Sequence, residues 1–348
     1  MDSDGAISKA CTQADLAETL GVSQVTVHKA LKGYPGVSDR LRHRVRRLAQ
    51  DRGYRLHLGA RAMRQGRFGA ATLVLSLAEQ GRSTLSEGLL QGVSLAFEER
   101  GMHVSIAVLP DEELTNESFV PRILREWLSD GLLLNYNKNV PARLEDLVRD
   151  YRIPSIWLNY KRDHDAAYPD DYAAGKDAVR RLLAAGHRRI AYANFSYKLE
   201  SVHYSDPDRC DGYVAAMREA GLSPLAIDRY THDAADQARR TPVCAELLSL
   251  PDRPTAVIGY STNTLEHFVR AAERLGLAIP RDLSLMTFSG DPVSVGQDVD
   301  AMRVPDVEVG RAGVEMLLEK IAAPGGTLPA RAVQFGYLGG ATVAPPCR

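Results

Sequence analysis

The chain has 348 residues, more than one ordinary domain needs and enough for a small head and a large two-lobed body. Its net charge of −1 hides an asymmetry: residues 1–67 carry 13 Lys and Arg against 6 Asp and Glu, a net of +7, and the remainder carries 30 against 38, a net of −8. No apolar run reaches membrane-spanning length and no secretory leader opens the sequence. The four cysteines, Cys11, Cys210, Cys244 and Cys347, are scattered without C-x-x-C spacing, so the expectation is a cytoplasmic protein with reduced thiols and no metal or cofactor.

The basic head begins with TQADLAETLGVSQVTVHKAL at 12–31, which predicts two short helices around a turn at Leu20-Gly21-Val22. Thr12 caps the first, with Asp15 completing a capping box, and Ser23 caps the second. Leu16, Ala17, Leu20, Val22, Val27, Ala30 and Leu31 meet inside, which leaves Gln24, Val25, His28 and Lys29 outward. That is the pattern of a helix-turn-helix whose second helix enters the DNA major groove; a generic helical hairpin is the alternative from this segment alone. A turn at 33–37 leads to a third helix from Asp39 to about Arg52, capped by Ser38. It has Leu41, Val45, Leu48 and Ala49 on one stripe and five arginines around the rest. A basic, patterned and cappable fold is the footprint of nucleic-acid binding rather than of a membrane-binding tail.

The body alternates strand-like and helix-like stretches. Strands are predicted at 71–77, 104–109, 132–136, 155–159, 189–194, 256–259 and 283–288. Helices are predicted at 86–100, 117–129, 142–150, 172–185, 209–220, 238–250 and 264–275. Short apolar strands between helices imply an α/β fold with parallel sheets covered on both faces, and two such units in tandem imply two lobes with a cleft between them. Asp206-Pro207-Asp208 reads as a turn and helix start with Asp208 as the cap. No nucleophile-elbow, dinucleotide or P-loop motif lies in a strand-to-helix context, which argues against an enzyme. Asp163-His164-Asp165 sits on a crossover loop without further patterned ligands, so no metal site is expected there.

With these residues on view the chain resembles the LacI/GalR family of bacterial transcriptional regulators. The resemblance rests on Leu-Ala-x-x-Leu-Gly-Val-Ser-x-x-Thr-Val-x-Lys-Ala-Leu-x-Gly at 16–33, on Ala60-Arg61-Ala62-Met63-Arg64-x-Gly66, on Ala185-Gly186-His187-Arg188-Arg189-Ile190-Ala191, and on Arg209-x-x-Gly212-Tyr213. It implies a headpiece at 1–54, a hinge at 55–69 and a periplasmic-binding-protein-like body at 70–348. Lobe 1 is expected at about 70–160 and 293–322, and lobe 2 at about 161–292 and 323–345. The family's base-reading positions fall at Gln24, Val25 and Lys29, which suit adenine, a thymine methyl and guanine respectively. Ser23 and Thr26 suit phosphates, and His28 replaces the usual serine. Met63 takes the place of the minor-groove wedge, with Arg61 and Arg64 facing phosphates or a narrow minor groove, although Leu56-His57 and Gly59 depart from the family's hinge pattern. No heptad repeat follows Pro346, so a dimer on a palindromic operator is expected rather than a coiled-coil tetramer.

The resemblance places an effector, a sugar or sugar derivative, against Ser76, Asn159, Tyr160, Asp171 and Arg209, the last pairing with hydroxyls or a carboxylate. Trp157, Phe195, Tyr197 and Tyr260 lie at or near strand ends, where aromatic faces suit a sugar ring and core packing suits them equally. Three departures bear on the ligand: Ser261-Thr262 for Asn-Asp, Thr287-Phe288-Ser289-Gly290-Asp291 for Gly-Phe-Asp-Asp, and Gly339-Gly340 for an arginine. Three readings follow. The first is a dimeric regulator switched by a carbohydrate, the second a regulator with a degenerate, effector-free cleft, and the third a solute sensor whose head makes protein contacts.

Overall fold

The computed structural model describes residues 11–54, 66–76, 82–110, 120–126, 128–195, 202–228 and 234–347. The chain divides into two compact units, Met1–Phe68 and Gly69–Arg348. The expected hinge contacts Arg61, Met63 and Arg64, and Tyr197 in the body, lie outside the described residues.

In the first unit, α1 (Gln13–Leu20) starts at Thr12, where both halves of the capping box form, and stops at Gly21, which adopts the left-handed conformation at φ 64°. Helices α2 (Gln24–Lys32) and α3 (Asp39–Asp51) start at Ser23 and Ser38, whose hydroxyls accept from the backbone three residues on. Leu16, Ala17, Val27, Ala30, Val45 and Ala49 form the buried centre, with Leu20, Val22, Leu31, Leu41 and Leu48 around it. The outward residues of α2 are left in solvent because the inward ones follow the helical period.

The second unit contains two six-stranded sheets. The first has the order β11-β5-β4-β3-β1-β2, formed by β1 (Ala70–Ser76), β2 (His103–Leu109), β3 (Leu132–Leu134), β4 (Ser155–Leu158), β5 (Ala166–Pro169) and β11 (Arg331–Val333). The second has the order β12-β10-β9-β8-β6-β7, formed by β6 (Ile190–Asn194), β7 (Leu225–Asp228), β8 (Ala256–Gly259), β9 (Ser284–Ser289), β10 (Asp300–Arg303) and β12 (Gly336–Leu338). Every pairing is parallel except β10 with β12. Helices α4 (Glu87–Glu98) and α11 (Asp306–Ala322) cover one face of the first sheet, and α5 (Arg122–Arg125) and α6 (Ala142–Asp150) the other. Helices α7 (Asp171–Ala184) and α8 (Ser205–Glu219) cover one face of the second sheet, and α9 (Ala234–Leu248) and α10 (Thr262–Leu275) the other.

The chain passes between lobes three times, but later than the sequence suggests. Strand β5 keeps lobe 1 running to Pro169 rather than 160, β10 keeps lobe 2 running to Arg303 rather than 292, and β11 returns to the first sheet at 331–333, so the tail joins lobe 2 only from 336. These three strands are four, four and three residues long, too short to display a period. Helix α8 begins at Ser205, so Asp208 is not its cap; Pro207 sits in the first turn, where a missing N–H costs nothing. The helix expected at 117–129 is reduced to Arg122–Arg125 among the described residues. Buried Asp300 holds the tail to the second sheet, accepting from the N–H groups of Gly340, Thr342 and Val343 and from the Tyr337 hydroxyl.

Candidate functional site

Two places gather the residues singled out by the sequence, one in each unit. In the head, Gln24, Val25 and Lys29 are exposed, Val25 to 64 %, and His28 is half-buried. Positions 28 and 29 follow 24 and 25 by about one helical turn, so the four form one outward stripe of α2. Ser23 and Thr26 are engaged with each other at the helix start, their hydroxyls 2.9 Å apart. The stripe offers a cation, an amide and an apolar side chain, none buried by the rest of the head.

In the body, the C-terminal ends of β4, β6 and β8 carry the second group. Helices α7 and α8 pack at backbone distance through Gly175 and Gly212; a Cβ on Gly212 would lie 2.1 Å from the Tyr172 carbonyl oxygen, and one on Gly175 would lie 2.3 Å from that of Arg209. This close approach delivers the Arg209 side chain to Asp171, and its Nε donates to Oδ1 at 2.7 Å in a buried ion pair. Nη1 donates to the Tyr260 carbonyl at 3.1 Å. The guanidinium lies over the rings of Tyr260, Phe288 and Phe335, at 4.9, 4.5 and 5.8 Å. Burial pushes the Asp171 carboxyl above the ordinary carboxylate range, and the neighbouring guanidinium offsets this only in part.

A relay of hydrogen bonds extends from this pair across the two lobes. Tyr260 and Ser205 share a bond of 2.9 Å, and Ser205 meets His203 Nδ1 at 2.7 Å. His203 Nε2 then faces the Asn159 carbonyl at 3.2 Å, and Tyr204 donates to Asn159 Oδ1 at 3.2 Å. A carbonyl only accepts, so His203 carries its proton on Nε2 and accepts at Nδ1. Burial drives the His203 pKa down to about 4, which keeps the ring neutral. On the lobe 1 side Asn137 donates to the carbonyls of Leu158 and Asn159, both at 3.2 Å, fixing the end of β4 where Asn159 turns into the left-handed region at φ 52°. Lys161 and Asp208 form a second bridge, at 2.6 Å.

Not every predicted residue joins this centre. Phe195 is 3 % exposed and stacks on Phe268, because it shares the face of β6 that Ala191 and Ala193 turn toward α9 and α10. Trp157, 5 % exposed, likewise packs beneath α6 with Tyr160 beside it and Arg162 across its ring. The Ser76 backbone N–H is held by Ser83, and the Ser261 hydroxyl meets Thr264 at 3.4 Å. Asp291 is exposed beyond β9. His203, Tyr204, Ser205, Asn137 and Asp306 belong to the centre and escaped the sequence reading. Burial raises the Asp306 carboxyl, which lies near the charges of Arg209, Asp291 and Asp171. The signal for His203 and Tyr204 was their closeness to Arg209, masked because Pro207 reads as a boundary. Asp165, part of the acidic triplet, is engaged instead by Lys320 and the Leu328 N–H.

A separate groove of about 650 Å³ along the β2 edge, lined by Ile106, Val108 and Leu128 among others, holds none of the predicted residues.

The periplasmic binding protein-like domain family matches residues 179–335. The chain is similar to the HTH-type transcriptional regulator AglR of Rhizobium meliloti (strain 1021), with 31% identity over 276 residues, 78% of this chain and 75% of that protein. Among solved structures it resembles the lac repressor dimer bound to operator and the anti-inducer ONPF, with a TM-score of 0.71 at 16% identity over 97% of this chain and 100% of the other. It also resembles the complex of transcriptional regulator CelR with cellobiose, with a TM-score of 0.61 at 20% identity over 95% and 99%. At such identities the structural likeness speaks to fold alone.

Proposed function

The chain belongs to the LacI/GalR family of DNA-binding transcriptional regulators, and from that premise we propose that it is a cytoplasmic repressor that binds a palindromic operator as a dimer and changes its operator affinity when a carbohydrate occupies the cleft between its lobes. The observation that carries the DNA half is the exposed stripe Gln24-Val25-His28-Lys29 on a capped helix of a basic head. Gln24 reads adenine, Val25 a thymine methyl and Lys29 guanine, while Ser23 and Thr26 approach phosphates and Arg61, Met63 and Arg64 serve the minor groove. Among the described residues no helix is long and apolar enough to cross a membrane. Selecting binding duplexes from a random pool with the wild-type chain and with Lys29→Ala tests this half. The variant loses preference at one base pair of each half-site; an unchanged preference refutes the assignment.

The effector half is supported by the centre at Asp171, Arg209, Tyr260, His203 and Asn159, which joins elements of both lobes. Asp171 neutralises Arg209, so the pair presents polarity without net charge, and the aromatic rings around it suit the C–H face of a sugar. That combination fits an uncharged saccharide better than an acidic one. A solved relative in fold carries cellobiose, so neutral mono- and disaccharides are the first candidates. A ligand that binds only the native chain raises its melting temperature, and operator DNA must alter that ligand's affinity by the same factor by which the ligand alters DNA binding. The second reading, a regulator with an effector-free cleft, is favoured by one observation: the relay between the lobes is completed by the chain's own groups. No melting shift with neutral, acidic or oligomeric saccharides would select it.

A further inference from the structure

The turn after α2 is built more firmly than a connection requires. Gly33 ends the helix in the left-handed region at φ 76°. Arg42 reaches back from α3 and donates to three carbonyls: Gly33 at 3.3 Å, Tyr34 at 3.3 Å and Val37 at 3.4 Å. One guanidinium thus bonds the backbone on both sides of Tyr34 and at Tyr34 itself. Yet Tyr34 adds little to the core of the head, since it is 52 % exposed.

Its ring instead lies beside His28, with centroids 6.0 Å apart. His28 stands four residues after Gln24 and three after Val25, and Lys32 follows it by four, so all share the outward side of α2. Lys29 Nζ lies against the same turn, 4.0 Å from where a Cβ on Gly36 would stand. Tyr34 therefore prolongs the outward stripe at its C-terminal end, next to Lys29 and Lys32. A phenol in cationic surroundings fits an anionic acceptor, and the ordering of its backbone is already met by the Arg42 clamp.

We infer that Tyr34 is a further DNA contact, donating its hydroxyl to a backbone phosphate at the rim of the groove that α2 enters, and that Arg42 is the residue that positions it. The inference rests on α2 being the DNA-reading helix. A neutral donor to a phosphate carries no base preference and displaces no counterion of its own. Its loss weakens binding to every duplex alike and leaves the salt dependence unchanged.

The test titrates the full chain with a mixed-sequence duplex of about 30 base pairs at low salt, by fluorescence anisotropy. Tyr34→Phe, with an unchanged melting temperature, binds about tenfold more weakly at the wild-type salt slope. Lys29→Ala, which removes a cation from the same face, lowers the affinity. Arg42→Met weakens binding as much as Tyr34→Phe, and the double variant is no weaker than either single one. Wild-type binding by Tyr34→Phe beside a weakened Lys29→Ala overturns the inference and leaves the α2 face standing. Wild-type binding by both variants overturns the α2 face itself. A loss seen with Tyr34→Ala but not with Tyr34→Phe, or a Tyr34→Phe loss that tracks a lower melting temperature, assigns the effect to packing and also overturns the phosphate contact.

Discussion

The outward stripe of α2 and the centre at Arg209 use similar polar side chains in opposite ways. Lys29 is exposed and stands within five residues of Gln24, Val25 and His28 on one helix. Arg209 is buried, ion-paired and enclosed by three aromatic rings, and its partners come from distant stretches of chain. The first arrangement keeps its interactions in reserve for a partner outside the chain. The second uses them within the fold, so a ligand placed there would have to exchange existing bonds.

The sharpest way to break this contrast is to remove one member of the buried pair. Asp171→Asn leaves Arg209 charged, buried and without its counterion, and should cost about 3–5 kcal/mol in denaturant-induced unfolding. Replacing both partners with apolar residues of similar size should recover most of that loss.

Acid should act next. His203 has a pKa of about 4 in the folded chain against an ordinary 6.5, so between these values the unfolded chain binds more protons. The stability it contributes is complete above pH 6.5 and falls as the pH drops toward 4, by roughly 3 kcal/mol in all. Protonation also turns Nδ1 into a donor and reverses its bond with Ser205. Unfolding measured at several pH values should show this slope in the wild type and a flatter one in His203→Gln.

Gly212→Ala should follow. A methyl 2.1 Å from the Tyr172 carbonyl forces α7 and α8 apart, for about 1–3 kcal/mol. The ion pair beyond the contact should loosen with it. Lys29→Ala stands at the other end. It should change stability by less than about 0.5 kcal/mol, yet weaken operator binding by about 1–3 kcal/mol. If the cleft variants left stability untouched, or Lys29→Ala unfolded the head, the contrast would be false.

The same contrast governs how much the sequence discloses. The caps Thr12, Ser23 and Ser38 and the stripe of α2 are legible because each partner lies within four residues. Arg209 and Asp171 stand out through the family resemblance and Tyr260 as an aromatic at a strand end, but their mutual engagement depends on Gly175 and Gly212 meeting across two helices. The aromatics at 157 and 195 show the limit: a residue at a strand end faces either side, and one position decides between cleft and core. Strands β5, β10 and β11 are recognisable only from their neighbours in the sheets, which no local pattern records.

The threefold passage between lobes also sets the order in which the protein becomes complete on the ribosome. The core of lobe 1 includes Val314 and Leu317 of α11 packed with Leu73 and Leu133, so its first strand waits for residues made near the end of synthesis. The head closes within residues 12–54 and can fold as soon as it emerges. A message interrupted before codon 306 therefore yields a finished DNA-reading head on a body whose first sheet lacks one of its covering helices.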